Sequence, residues 1–506
     1  MIKIFSISNF KKKIYQLKKS KKKIGLCHGV FDLLHLGHIR HFKEAKKKVD
    51  ILIVSITSDE FVKKGPGRPV FSHLERAECL ASLEFIDYVL ISEEASAIKV
   101  IEAVKPNYYF KGPDYKNNKK DISGKIFLEK KTLKKYNGEI FYTSDKKLSS
   151  SILLKNYLNF LSSRQKNSIN KIKKKYTINS IIKIIDSFKE TNPLVVGETI
   201  IDIYQFTDTL GKSGKEPVLV LKKNFHEKYL GGAGAICRHL ASFVKKMNFI
   251  SYLGNKEEEL KFIKKKLGKD IKFHFIKKKN SPTIIKERFV EESTNRKILG
   301  AYSLNDTNLT VSEEKLIKNI LRKCLKKNEL VIVSDYGHGL ISQNFAKEII
   351  KKGKFVAVNV QINSSNIGFH SLQNYKNTTC IIINENELRY EMRSKAEQIE
   401  NLLIKLSKSL NLKYLVVTRG SSGAILYNAI KKKFHYSDAF ANRVVDKVGA
   451  GDAMLSCLAL CLFKNLDCDL SLLISSLCAS QSVSTIGNKI PLNRNILIKE
   501  LEHYLI

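Results

Sequence analysis

Two doubly wound α/β domains in one chain are what this sequence predicts, and three observations carry that expectation. Short apolar, β-compatible runs alternate along the chain with stretches of helical spacing, the rhythm of parallel strands crossed over by helices. At residues 24–38 and again at 446–454 a glycine turn opens into a helix, the arrangement that offers backbone N–H groups and a positive helix end to a phosphate. At 506 residues the chain is also too long for one ordinary core. A polar and basic stretch over 159–177 is expected as a linker, with one domain over residues 22–158 before it and a second over 178–506 after it.

Composition narrows the function class. A hydrophobic content of 43% suits globular domains and argues against bulk disorder. The nine cysteines are scattered without a paired spacing, so they read as reduced thiols filling the core of a cytoplasmic protein. No secretory signal is expected, and the longest apolar run, 453–463, is too short to span a bilayer. A formal charge of +40 invites a nucleic-acid reading. The lysines, however, come as runs spread over the whole chain and are not interleaved with aromatics in one patch. Solvated surface is therefore the expectation, with neither membrane nor nucleic acid as a partner. A nucleic-acid-binding protein on an inert enzyme-like scaffold stays as the reading of another class, marked by a steep salt dependence of duplex binding.

The first domain opens on its organising stretch. Residues 24–27 are apolar and β-compatible, and Gly29, Phe31, Asp32, His35, Gly37 and His38 follow, leading into a helical pattern from Ile39 to Lys48. Two imidazoles three residues apart add donors that can hold charge developing on a phosphoryl group. Residues 50–56 form a buried parallel-strand candidate, and 65–69 a loop that places Arg68 beside the phosphate region. A helix over 74–83 carries Arg76, a strand follows at 86–91, and the strand at 108–110 ends in Lys111. Residues 148–155, with Ser150 and Ser151, read as a hydroxyl-rich helix start suited to an anion.

The stretch from Gly29 to His38 resembles the G-x-F-D-x-x-H-x-G-H signature of the cytidylyltransferase-like nucleotidyltransferases. With the residues around Arg68, Arg76, Lys111 and Ser150, it is most similar to the nucleotidyltransferase domain of the bifunctional heptose kinase/adenylyltransferases, which supply ADP-heptose for lipopolysaccharide. The resemblance implies that His35 and His38 contact the triphosphate and stabilise the transition state, at a nucleotide site that includes Gly29 and Phe31. It gives Ser150 and Ser151 the β- and γ-phosphates, and Arg68, Arg76 and Lys111 phosphate or sugar-phosphate contacts. The implied reaction is in-line attack of a sugar 1-phosphate on the nucleotide α-phosphorus with release of pyrophosphate. Such chemistry needs positioning, donors and a metal more than a strong base.

In the second domain a helix is expected over 178–188. Strand-to-turn candidates follow at 193–202, 331–337, 381–387 and 414–420, with a glycine-rich turn at 229–234. The decisive piece is 446–454. Gly449, Ala450 and Gly451 let backbone N–H groups approach a transferring phosphoryl group at the head of an apolar helix. Asp452 behind them can accept the proton of the attacking hydroxyl. The whole set resembles the ribokinase-like (pfkB) sugar kinases, and within them the heptose 7-phosphate kinase half of the same bifunctional enzymes. By that resemblance Asp452 is the catalytic base and 449–451 the anion hole. Asn384 and Glu387 order Mg2+ and phosphate through water with no direct protein ligand, Asp202 and Gly232 face the sugar, and Lys286 and Arg288 reach the sugar's own phosphate.

Four departures from the resembled pattern stand out. The nucleotidyltransferase precedes the kinase, the reverse of the usual order. Ala235 stands where an asparagine is expected to touch the sugar, and Asn359, Val360 and Gln361 replace an Asp-Pro-Lys triplet. His338 takes the place of a lysine after the 331–337 strand. The expected partners are a sugar phosphate, ATP or another NTP, and a separate phosphatase to remove the second phosphate between the two steps, with a homo-oligomer left open. The alternative substrate pair is CTP with a polyol or glycerol phosphate, beside a kinase of altered or weak activity.

Overall fold

The computed structural model describes residues 3–62, 69–112, 125–143, 161–363, 366–367, 371–441 and 444–505. The chain divides into two compact units, 1–162 and 163–506. Among the described residues no helix is long and apolar enough to cross a membrane. Eight of the nine cysteines are buried and Cys79 is exposed.

The first unit is a six-stranded sheet built from β1 (Ile4–Ser6), β2 (Ile24–Gly29), β3 (Ile51–Thr57), β4 (Tyr88–Ser92), β5 (Tyr108–Lys111) and β6 (Glu139–Tyr142). They lie in the order β1-β4-β3-β2-β5-β6, and every pairing is parallel. Strand β3 is buried along its whole length, as a strand covered on both faces by helices must be. Two cores flank the sheet, one around Leu26, Ile53, Leu90 and Tyr109, the other around Phe42, Val54, Val89 and Phe110. The order reverses between β2 and β5. At such a switch point the flanking loops part and leave a crevice at the strand C-termini.

The unit starts earlier than the expected residue 22. Ile4 to Ser6 pair with Val89 to Ile91, and Phe10 at the N-cap of helix Lys11–Lys19 with Ile14 and Leu17 on it are buried in the first core. The apolar spacing of that helix is hidden by the lysines around it.

The second unit holds a nine-stranded sheet: β7 (Leu194–Gly197), β10 (Met247–Leu253), β11 (Ile271–Lys277), β14 (Leu330–Asp335), β15 (Phe355–Val360), β16 (Cys380–Asn384), β17 (Tyr414–Thr418), β18 (Ala424–Asn428) and β19 (Lys433–Ser437). Their order is β11-β10-β7-β14-β15-β16-β17-β18-β19. Only the last two pairings, β17 with β18 and β18 with β19, are antiparallel. Here the reversal lies between β7 and β14, and the apolar helix Ala450–Phe463 is buried against β14, β15 and β16. A separate four-stranded sheet, β13 (Lys297–Ser303), β12 (Ile284–Glu291), β8 (Thr199–Lys212) and β9 (Leu219–Gly232), continues directly from β7 through Glu198.

Within the span expected as linker, residues 163–175 form a helix of the second unit. Ile169 and Ile172 are buried, and the Gln165 amide donates to the Ala439 carbonyl at 2.6 Å. Two apolar residues three apart are enough to seat one face of a helix, even in a lysine-rich stretch.

Candidate active sites

In the first unit, β2 delivers its C-terminal Gly29 to the switch point. Phe31 follows in the left-handed region (φ 45°), a strained geometry for a bulky side chain. Its ring is held edge-on against Phe42 at 5.0 Å and against His38 at 5.3 Å. Buried Asp32 accepts the Val70 N–H at 2.7 Å and the Phe71 N–H at 3.3 Å. His35 caps helix Leu36–Lys46, its Nδ1 accepting the Gly37 N–H at 3.1 Å. When neutral, the ring therefore carries its proton on Nε2. The two imidazoles stack with centroids 3.9 Å apart. Burial lowers the His35 pKa, which keeps that ring uncharged beside His38 at neutral pH. The pair thus offers N–H donors at the head of a helix without mutual charge repulsion.

Arg76 does not face this crevice. Its guanidinium is 1% exposed and donates to the Val30, Thr57 and Phe71 carbonyls and to Asp59 at 2.6 Å. Each of these bonds ties helix His73–Ala81 to a strand end or a turn, so Arg76 fixes the loop that carries Phe31 and is not a phosphate contact. Lys111 also turns inward. Its ammonium lies 3.1 Å from the buried Glu129 carboxylate, which accepts from Ala97 N–H and Tyr109 hydroxyl as well. Burial alone would raise Glu129, and Lys111 with the Ala97 N–H and His28 outweighs it and leaves the group lowered. Arg68, Ser150 and Ser151 lie outside the described residues.

The second unit carries an open cavity of about 930 Å³ where the C-terminal ends of β15, β16 and β17 face the small sheet. Asp202, Gly232, Lys286, Arg288, Asn384, Glu387, and Gly449 through Asp452 all contribute to its wall. At one end Gly449 takes φ 90°, and a Cβ there would fall 2.1 Å from the Asn488 amide oxygen, so only glycine fits. Helix Ala450–Phe463 starts at once, aiming its first N–H groups into the cavity mouth.

Asp452 sits in the first turn of that helix and receives the Tyr336 hydroxyl at 2.8 Å. Burial pushes its carboxyl up to about 7; Asp202 adds to the rise, while the Tyr336 hydrogen bond and Lys286 oppose it. Tyr336 is set in turn by Glu198, whose fully buried carboxylate accepts the Tyr336 and His338 N–H groups at 3.0 and 3.2 Å.

The side built by the small sheet is basic. Arg288 forms an ion pair with Asp202, and Lys297 pairs with Asp446 at 2.6 Å. Buried Lys286 stands 5.6 Å from the ring centres of Tyr302 and Tyr336. Burial lowers the Lys286 pKa, partly offset by Asp202.

Asn384 and Glu387 form a capping box on helix Glu385–Glu391, which is what the three-residue spacing does mechanically. Both Glu387 oxygens accept backbone N–H groups, from Ile362 at 3.2 Å and Asn384 at 2.8 Å. Among the described residues, no three His, Cys, Asp or Glu side chains converge as a metal site. The arrangement fits a hard cation held mainly by phosphate oxygens and water, with Glu387 as an outer carboxylate.

Two positions expected near the sugar lie elsewhere. Ala235 is 1% exposed within helix Ala233–Leu240 and does not reach the cavity wall. His338 is fully buried and bonds Asp306 at 2.7 Å. Asn359 and Gln361 do line the cavity. Sequence reasoning passed over Tyr336, Lys297, Asp446 and Arg419, which share the same wall. The position of Asp446, six residues before Asp452 in the same turn, was the one available signal.

Known proteins match the two halves separately. Residues 190–495 match the model of the pfkB family carbohydrate kinases, and residues 26–156 the cytidylyltransferase-like model. The N-terminal part is similar to the bifunctional protein HldE of Helicobacter pylori strain G27, 43% identical over 130 residues, which are 25% of this chain and 27% of that protein. It is also similar to HldE of Campylobacter jejuni subsp. jejuni serotype O:6, 42% identical over 125 residues, covering 23% and 27%. The chain thus spans about a quarter of the length of the curated relatives it matches. Among solved structures, phosphofructokinase-2 from Escherichia coli in complex with potassium superposes with TM-score 0.51 at 14% identity, covering 62% of this chain and 99% of that one. At that identity the likeness concerns the fold alone.

Proposed function

From a chain that belongs to the pfkB family of carbohydrate kinases and carries a cytidylyltransferase-like nucleotidyltransferase domain ahead of the kinase, we infer a bifunctional enzyme of nucleotide-sugar synthesis. Its kinase half transfers the γ-phosphoryl group of ATP to a sugar phosphate of the heptose 7-phosphate kind. Its N-terminal half transfers a nucleotidyl group to a sugar 1-phosphate, giving an ADP-heptose-like product and pyrophosphate.

The observation that carries the kinase reading is the polarity of the cavity. A raised carboxylate and a glycine-headed helix share the cavity wall with the cations Lys286 and Arg288. A sugar whose own phosphate lies among the cations presents its far hydroxyl to Asp452. Asp452 takes that hydroxyl's proton as the oxygen bonds to the γ-phosphorus, the bond to the ADP oxygen breaks, and N–H groups from 449–451 receive the developing charge. Asn384 and Glu387 would order the water around a Mg2+ ion carried by the nucleotide phosphates, and that ion would neutralise charge on them.

In the first unit, His35 and His38 donate to the nucleotide phosphates while the sugar phosphate oxygen attacks the α-phosphorus and pyrophosphate leaves. Adenylyl transfer to a heptose is favoured by the likeness to the HldE proteins over this part of the chain. The kinase product carries two phosphates, so a separate cytoplasmic phosphatase acts between the steps.

The test is to incubate the purified chain with a panel of sugar phosphates and each of ATP, CTP, GTP and UTP, reading ADP and pyrophosphate. ADP release with heptose 7-phosphate and pyrophosphate release with heptose 1-phosphate and ATP are expected. Preference for CTP with a polyol phosphate would replace this reading.

A further inference from the structure

We propose that Tyr204 and Lys297 are positioning residues for phosphoryl transfer. Through the carboxylate of Asp446 they lock the glycine loop at 449–451 to the small sheet that carries the sugar-side residues. The inference rests on the reading of the second unit as a sugar kinase.

Asp446 is 8% exposed, and each of its oxygens takes two donors. Oδ1 accepts the Lys297 ammonium at 2.6 Å and the Val448 N–H at 3.1 Å. Oδ2 accepts the Tyr204 hydroxyl at 2.8 Å and the Gly487 N–H at 3.0 Å. The four donors come from four separate stretches of chain. Lys297 and Tyr204 stand on β13 and β8 of the small sheet, Val448 directly precedes Gly449, and Gly487 belongs to a turn near the C-terminus. A helix start needs only local acceptors. Nothing in the formation of helix Ala450–Phe463 calls for a link to another sheet.

The sheet end of the link is rigid. Tyr204 is 1% exposed, and a Cβ on Gly487 would lie 3.0 Å from its ring. Its ring meets Tyr229 edge-on at 5.5 Å, in a cluster with Phe206, Val290 and Ile486. Asp202 lies two residues before Tyr204, hence on the same face of β8. In register, Lys286 pairs with Asp202 and Arg288 with Tyr204. The residues that would grip the sugar and the residue that holds Asp446 therefore move as one patch.

Displacing that patch removes two charge-assisted bonds from Asp446 and leaves the loop held by backbone bonds alone, from Val448 and Gly487 to Asp446 and from Val445 and Asp446 to the Val483 carbonyl. Seating the sheet on the sugar and seating the loop on the γ-phosphoryl group become one event. The kinase would thereby hold its anion hole in transfer geometry only when an acceptor is in place.

The experiment uses the full chain as Tyr204→Phe, Lys297→Met and Lys297→Arg. Kinetics with ATP and the best sugar phosphate are read beside hydrogen exchange of the backbone from 445 to 451. Expected for Tyr204→Phe and Lys297→Met is a kcat about tenfold lower or more, as for loss of a bond to a charged group. The KM values should change by less than about threefold, because the substrate contacts remain. Lys297→Arg should recover most of the loss, and exchange should quicken in 445–451 while β14 to β16 stay protected. An unchanged kcat, a loss confined to KM, no recovery in Lys297→Arg, or faster exchange spread through the whole unit each overturns the proposal. If the parent chain forms no ADP with any acceptor, the kinase reading fails on its own. Exchange then still decides the link, because unchanged protection of 445–451 in both loss variants refutes it without any turnover.

Discussion

Asp452 answers to two opposite demands. A base must be ionised to accept a proton, yet burial pushes this carboxyl up to about 7. The kinase kcat/KM should therefore fall as pH drops through about 7. Asp452→Asn should lower kinase kcat by about 10²–10⁴-fold, the range for a lost general base. The stability effect runs the other way. The folded state holds this proton from the ordinary carboxylate range up to about 7, so ionising Asp452 costs stability as pH rises through that window. Asp452→Asn should melt above the parent at pH 8, with the gap closing toward pH 4; a gap that is constant with pH would sink the burial argument. Tyr336 opposes the rise, so Tyr336→Phe should move the acid limb of the rate profile to higher pH. A limb that stays put would remove Tyr336 from the base's environment. Asp452 could be read from the sequence because small residues before an acid at a helix head have few structural uses. Arg76 and Lys111 could not be placed, since a lone basic residue looks the same in sequence whether it meets solvent, phosphate or a buried carboxylate. Tyr336 carries no local mark at all, its role arising only when β14 and helix Ala450–Phe463 meet.

At the scale of elements, the glycine loop leaves no room for a side chain at Gly449. In Gly449→Ala a left-handed φ and a clash with Asn488 combine, so a loss of about 1–3 kcal/mol is expected, with kinase turnover falling further than stability alone explains. Thermal unfolding together with ADP release checks both halves, and a variant as stable and active as the parent would show that the loop tolerates a side chain. The parallel strands of both large sheets are legible because strands buried on both faces read as unbroken apolar runs, β3 and β14 being examples. The small sheet was not. Its β9 and β13 are exposed along most of their length, so no apolar run marks them. Helix 163–175 was hidden for a related reason, with two buried isoleucines set among lysines. Only tertiary packing tells such a helix from a linker.

For the molecule as a whole, each unit has its own hydrophobic core and its own candidate site. The two activities should separate accordingly. His35→Ala combined with His38→Ala should abolish pyrophosphate release and spare ADP release, and Asp452→Asn should do the reverse. Loss of both activities in either folded variant would mean that the sites are not independent. The two-domain layout was legible because each domain carries its own glycine turn into a helix, whereas the boundaries were set by packing that local composition does not report.

The strand order of the first sheet bears on how the chain is made. All six of its strands, β1 to β6, lie between residues 4 and 142, so every pairing partner is available before the second unit exists. At about 5–20 residues per second, residues 163–506 take on the order of 20–70 s more to emerge. Strand β7, by contrast, lies between β10 and β14, and β14 is not complete until residue 335. A chain ended at residue 162 should therefore unfold in a single cooperative transition, and non-cooperative melting would show that this unit needs the rest of the protein. On the ribosome, the nucleotidyltransferase can be folded and binding its nucleotide while the centre of the kinase sheet still waits for its neighbour.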